Sequence, residues 1–211
     1  MADFKIASAV VNKHEGKYNS STEDTGNYVG GVFIGTMYGI SAPVLNAWRG
    51  GNSNNVVITK NDMINLSYDE ALKIYKKNYW DVISGDKIKN QSIANIIYDS
   101  AVNQGIGGMK KVYKTATNET YSADSVNNFA NQEKLFNQFK NARLNSYDKS
   151  NQTFYAGWRS RVNSFIYEAG KKTVQAGLFV KKNVIPITLI SIGMSAIIGT
   201  IIYIIIKNKI K

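Results

Sequence analysis

Glu15 closes a short run of helical spacing, and eight residues separate it from Asp24; Thr36 lies further along a glycine-punctuated stretch. A carboxylic acid at a helix end is placed to protonate a departing oxygen. A second carboxylate across a cleft is placed to activate water or to stabilise an oxocarbenium-like transition state. A threonine hydroxyl holds the attacking water. The acid needs partial burial to stay protonated near neutral pH, and a cleft between helix and hairpin supplies it. The set suits cleavage of a glycosidic bond. On spacing alone, a glutamate at a helix end is more often a solvated charge.

The remaining chemistry is narrow. The 211 residues include no cysteine and one histidine, His14. Thiolate metal sites, disulfide scaffolds and cysteine nucleophiles are therefore excluded, and a histidine-based metal centre or triad is not expected. No metal and no organic cofactor are implied. The net charge of +11 is unevenly spread, because seven lysines and no acids follow Gly170. Removing those seven from the 26 basic residues leaves 19 against 15 acids over residues 1–170, a surplus of only four. A nucleic-acid partner would want a clustered basic face within the fold and is not expected.

Several elements are needed to position these groups. Phe4, Ala7, Val10, Val11 and His14 share helical spacing up to Gly16. Gly26, Gly30, Gly31, Gly35 and Gly39 punctuate the β-prone VFIGTMYGI, which predicts two or three short strands. Residues 40–66 read as a long surface loop. Ser67-Tyr-Asp-Glu70 is a capping box opening a helix through Trp80. Residues 91–104 form an apolar helix closed by Gly105, and three more helices are expected near 107–117, 131–147 and 151–169. The expected fold class is α+β, mainly α, with a small β-hairpin.

From Val184 to Ile206 no ionisable side chain occurs except Tyr203, and lysines bracket the stretch on both sides. A helix of that length spans roughly 34 Å, enough for a hydrocarbon core of about 30 Å. It is therefore expected to be one C-terminal transmembrane helix, with Pro186 tolerated in its first turn. Gly193, Ser195 and Gly199 would admit a second helix, a weak pointer to a homo-oligomer. The opening MADFKIASAVVNKHEGK does not read as a signal peptide. The expectation is a single-pass membrane protein with a C-terminal anchor, in a host inner membrane or associated with a virion.

Motifs extend the reading. His14-Glu-Gly-Lys-Tyr18, Asp24-Thr-Gly26 and Thr36-Met-Tyr-Gly-Ile-Ser41 resemble the E-G-G-Y, D-x-G-G and T-x-x-G-I-[ST] runs of glycoside hydrolase family 108. That family comprises lysozyme-like muramidases common as phage endolysins. Tyr79-Trp80-Asp81 followed by Tyr98-Asp-Ser-Ala-Val-Asn-Gln-Gly105 is similar to its Y-W-D and D-x-A-V-N-x-G motifs, and Phe154–Val162 is similar to its closing F-x-x-G-W-x-x-R-V helix. The resemblance covers residues 1–168. It implies a lysozyme-like helical domain that hydrolyses the β-1,4 bond between N-acetylmuramic acid and N-acetylglucosamine in bacterial peptidoglycan. Glu15 falls on the family's catalytic glutamate, and Asp24 and Thr36 on positions similar to the Asp and Thr of related phage lysozymes. Two departures stand out: Lys17 replaces the second glycine of E-G-G-Y, and eleven residues separate Asp24 from Thr36 where the family has about four or five. Glu23 is an alternative to Asp24 as second carboxylate.

The resemblance divides the chain into a lysozyme-like catalytic part at 1–85 and a helical peptidoglycan-binding half at 86–170. A basic linker at 171–183, the span at 184–206 and a basic tail at 207–211 follow. Tyr18 and Tyr38, with Tyr28, are candidates for stacking on sugar rings or for covering the hairpin. Asn103 is a candidate substrate ligand or a brace of the cleft. Trp80 and Trp158 are expected in helix packing, Asp99 as a structural hydrogen-bond partner, and Arg159 and Arg161 in ion pairs within the bundle. His14 is expected on a helix surface. Two rivals remain: a degenerate module that grips peptidoglycan without cutting it, and a tail-anchored protein that perforates or assembles at a membrane.

Overall fold

The computed structural model describes residues 1–11, 18–147 and 152–169, all within one compact unit, Met1–Gly170. Glu15, His14 and Lys17 lie outside the described residues, as do the linker, the apolar stretch 184–206 and the basic tail. Among the described residues, no helix is long and apolar enough to cross a membrane.

The chain is mainly helical with one two-stranded antiparallel sheet. Helix α1, Phe4–Val11, buries Ala7, Ser8 and Val11. Strands β1, Tyr28–Val29, and β2, Val32–Phe33, pair Tyr28 with Phe33 and Val29 with Val32. Gly30 and Gly31 join them with φ of +55° and +79°, the double left-handed turn that matches strand twist. A side chain at Gly30 would also meet Val56 and the Ser53 carbonyl.

The expected loop at 40–66 is instead interrupted by two helices, α2 at Ala42–Trp48 and α3 at Lys60–Ile64. Both are too short for apolar periodicity to rise above noise, but their ends are well specified. Pro43 sits in the first turn of α2, and Thr59 and Asp62 form a reciprocal capping box on α3. Buried Asn46 ties down the loop between them: its amide donates to the carbonyls of Asn52 and Asn55, and its oxygen accepts from Val57 N–H.

Helix α4, Tyr68–Tyr75, starts where Ser67 Oγ accepts from Glu70 N–H at 3.1 Å. The Glu70 carboxylate does not close the expected box; it goes to Arg49 and Trp48. A π-helical turn, Lys76–Trp80, then carries the chain to Trp80. Trp80 is fully buried between Phe4 and Tyr98, with ring centroids 5.7 and 5.6 Å away, and its indole N–H donates to Asp86.

Helix α5, Gln91–Thr117, breaks at Gly105, where φ +72° and ψ 164° are non-helical, as the glycine stop at 105 predicts. A further helix absent from the sequence reading, α6 at Ala123–Asn128, is capped by Ser122. Helices α7, Gln132–Ser146, and α8, Gln152–Asn163, complete the bundle. The last ends six residues before the expected 169. After Asn163 the chain is pinned by buried Phe165, by Lys140 Nζ donating to the Phe165 carbonyl, and by Glu168 N–H donating to Ser92 Oγ.

Two apolar clusters result. One lies beneath the hairpin, with Ile34, Ile40, Leu45, Met63 and Ile74; the other surrounds α5, with Ile96, Ile97, Tyr113, Phe136 and Phe139. Phe4, Tyr79 and Val102 pack against both.

Candidate active site

The residues from 18 to 40 fold back on themselves around two asparagines. Asn19 pairs with Thr36 as an isolated antiparallel bridge: Asn19 N–H donates to the Thr36 carbonyl at 2.8 Å, and Thr36 N–H to the Asn19 carbonyl at 3.1 Å. The Asn19 side-chain amide donates to Asp24 Oδ2 at 3.2 Å, while its oxygen accepts from Ser21 N–H. One residue thus holds the Thr36 backbone and the Asp24 carboxylate at once. Asp24 Oδ1 accepts from Gly26 N–H at 2.9 Å, capping the short 3-10 turn Thr25–Asn27. Both carboxylate oxygens are oriented, and the group stays open to solvent. Glu23 is also exposed, its backbone N–H donating to Ser21 Oγ.

Asn27 is the second clamp. It is wholly buried, its amide donates to the Ser21 carbonyl, and its own carbonyl accepts from both Ile34 and Gly35 N–H. The eleven residues between Asp24 and Thr36 are thereby spent on a hairpin whose base Asn27 closes. The extra length packs on the rest of the domain through buried Val29 and through Gly30 against Ser53 and Val56, and Asp24 and Thr36 meet again at Asn19.

The aromatic candidates separate. Tyr18 donates its hydroxyl to the Ile34 carbonyl at 2.9 Å, and its ring lies where a side chain at Gly35 would be; Gly35 has φ +95°. Lys60 Nζ lies 5.9 Å from the same ring. Tyr18 is thus built into the hairpin, which matches the covering alternative. Tyr28 packs edge-on to Phe33 and donates to the Thr22 carbonyl. Tyr38 is different: it has a left-handed φ of +51°, its carbonyl accepts from Tyr75, and its half-buried ring lies edge-on to exposed Tyr68 at 5.5 Å. A bulky residue held at positive φ is strained, and such strain gathers at functional sites.

Asn103 is bound into the helical bundle. Its oxygen accepts from Tyr147 OH at 2.7 Å, and the same hydroxyl accepts from Arg143 Nε at 3.0 Å. Arg143 and Asp99, both with no exposed surface, pair at 2.7 Å, and Arg161 binds Asp99 from the other side at 2.8 and 2.9 Å. Asp99 is a structural partner and Arg161 is ion-paired, as the sequence suggests; Arg159 is exposed and forms no ion pair among the described residues. Arg143 and Tyr147 went unrecognised in the sequence, since a buried arginine on a polar helix has no periodicity of its own. Burial pushes the Tyr147 phenol above its ordinary range, so it remains a donor to Asn103. Trp158 stacks on Tyr147 with centroids 5.0 Å apart. Among the described residues, no cluster of acids and histidine could hold a metal ion.

Residues 8–105 match the family model for glycosyl hydrolase 108. Over this stretch, just under half of the chain, the sequence is similar to that family. The stretch contains Glu15, Asp24 and Thr36 together with the Asn19 bridge, and the match supports a glycosidase. In fold, the chain is similar to the structure of Brucella abortus SagA, with a TM-score of 0.57 and 22% identity, over 79% of this chain and 97% of that one. Among curated proteins no relative matches.

Proposed function

We propose that the chain is a peptidoglycan N-acetylmuramidase, cutting the β-1,4 bond between N-acetylmuramic acid and N-acetylglucosamine. Glu15 is the general acid, Asp24 the base or electrostatic partner, and Thr36 positions water. The observation that supports this best is the double use of Asn19, four residues after Glu15 in the chain, which joins the Asp24 carboxylate to the Thr36 strand. Tyr38 contributes stacking surface beside this site, and Asn103 braces the helical half. Residues 184–206 tether the enzyme to a lipid membrane, in the context of phage-type wall lysis or penetration. The mild positive charge of the domain favours an anionic wall.

The test is Glu15→Gln incubated with purified murein. Wild type should create new reducing ends, and the variant should create none while retaining its thermal transition. Undiminished release by the variant removes Glu15 from its role. A chain that binds murein but releases no ends in either form is the non-catalytic module, the alternative that Lys17 in place of glycine favours.

A further inference from the structure

Helix α2 carries a feature that hydrolysis at Asp24 leaves unused. Pro43, Val44, Ala47 and Trp48 line a surface pocket of about 350 Å³, faced on its other side by Lys77 and Asn78 from the π-helical turn. It is an open depression rather than an enclosed cavity, with an apolar wall facing two polar groups. Insertions of this π type recur at functional sites.

Trp48 is prepared for a ligand in a way Trp80 is not. It is half-buried, and its indole N–H is fixed on Glu70 Oε1 at 3.1 Å; Glu70 is in turn gripped by Arg49 through bonds of 2.9 and 2.8 Å. The ring is therefore oriented in advance, which lowers the ordering cost of binding. The Lys77 ammonium lies 5.4 Å from the Trp48 ring centroid and has no acidic partner among the described residues. Its neighbour Lys76 is shared between Asp81 and Asp86. The π-helical turn thus sends one lysine into an ion-pair network and leaves the next at the pocket.

We propose that this pocket binds the short peptide that branches from the glycan strand. Methyl side chains lie on the Pro43–Trp48 wall, a peptide group meets the Asn78 amide, and a carboxylate meets Lys77. The proposal rests on the peptidoglycan reading above. Position supports it: Ser41, at the N-terminus of α2, has its Cβ 3.7 Å from where a Gly26 Cβ would stand, and Gly26 is the residue that Asp24 caps. From Ser41 to Trp48 the helix advances only about 10 Å, so a branch on a sugar near the Asp24 turn reaches the pocket.

The experiment measures kcat and KM of the full chain on intact murein and on murein stripped of its peptides. Lys77→Gln is compared with wild type and with Lys73→Gln, an exposed lysine on α4 outside the pocket. Lys77→Gln should raise KM on intact murein by up to about fivefold, the scale of one partly exposed charge pair. Its kcat, and both constants on stripped glycan, should match wild type, and Lys73→Gln should change neither substrate. An unchanged KM on intact murein, or an equal rise on both substrates, overturns the peptide site. If wild type releases no ends, the hydrolytic reading fails and calorimetry decides the pocket alone. Binding of N-acetylmuramyl-L-alanyl-D-isoglutamine by wild type and Lys73→Gln, weakened in Lys77→Gln, supports it; equal binding by all three, or none by wild type, overturns it.

Discussion

Asn19 is a small residue with three duties beside the candidate site: the Thr36 bridge, the Asp24 carboxylate and the Ser21 N–H. Removing its side chain leaves the backbone bridge to Thr36 but frees Asp24 Oδ2 and the Ser21 N–H. Asn19→Ala should therefore lose about 1 kcal/mol of stability and lower kcat on murein about tenfold, because a carboxylate misplaced by an ångström loses much of its catalytic advantage. Thermal melting and reducing-end release read the two effects separately; full activity in Asn19→Ala would show that Asp24 needs no such support. Motifs single out Asp24 and Thr36 as candidates in the sequence. The sequence conceals Asn19, since an exposed asparagine in a run of polar residues carries no periodicity, and its partner Thr36 is seventeen residues away. Tyr18 illustrates the reverse: its motif position suggests sugar stacking, while its hydroxyl and ring are committed to Ile34 and Gly35.

The elements that obey strong local rules could be read in advance. Gly105 ends the first half of α5 because only glycine adopts its backbone angles, and no neighbour crowds the place where a Cβ would stand. Gly105→Ala thus isolates backbone strain: about 1–3 kcal/mol of lost stability, measured by chemical denaturation, with no cavity or clash to confuse it. Short helices escaped prediction for a physical reason. Helix α3 has five residues and α6 has six, fewer than two turns, so capping side chains rather than an apolar stripe specify them. The α5–α7–α8 bundle also has a pH signature. Burial raises the phenol pKa values of Tyr147, Tyr121 and Tyr113 above 10.0. A raised folded value means their contribution is complete below about pH 10 and disappears as pH climbs through the folded values. Lys140 acts in the opposite sense, since burial lowers its pKa from 10.5 and its charging opposes folding. Tyr147→Phe should therefore shallow the alkaline loss of stability, measured as the midpoint of denaturation between pH 9 and pH 11; an identical slope would place the effect on Tyr113 and Tyr121.

At the scale of the whole molecule, Met1–Gly170 forms one compact unit and carries the entire candidate site. A chain ending at residue 170 should fold, melt cooperatively and retain hydrolysis of soluble murein fragments. The full chain should float with liposomes while the shortened one stays in the aqueous phase; co-flotation of both would move membrane affinity into the domain itself. In composition, residues 1–170, with their low net charge, stand apart from the cationic, acid-free remainder. Finally, Asn27 locks the base of the hairpin by accepting from Ile34 and Gly35 with one carbonyl, while Asn19 joins the flanking segments independently. Beyond that lock the ribbon is held by buried Val29 and by Gly30, which lies close against Ser53 and Val56. At its tip Val32 is exposed and no atom lies within 4 Å of where a Gly31 Cβ would stand, so a graft meant to alter substrate preference would start there.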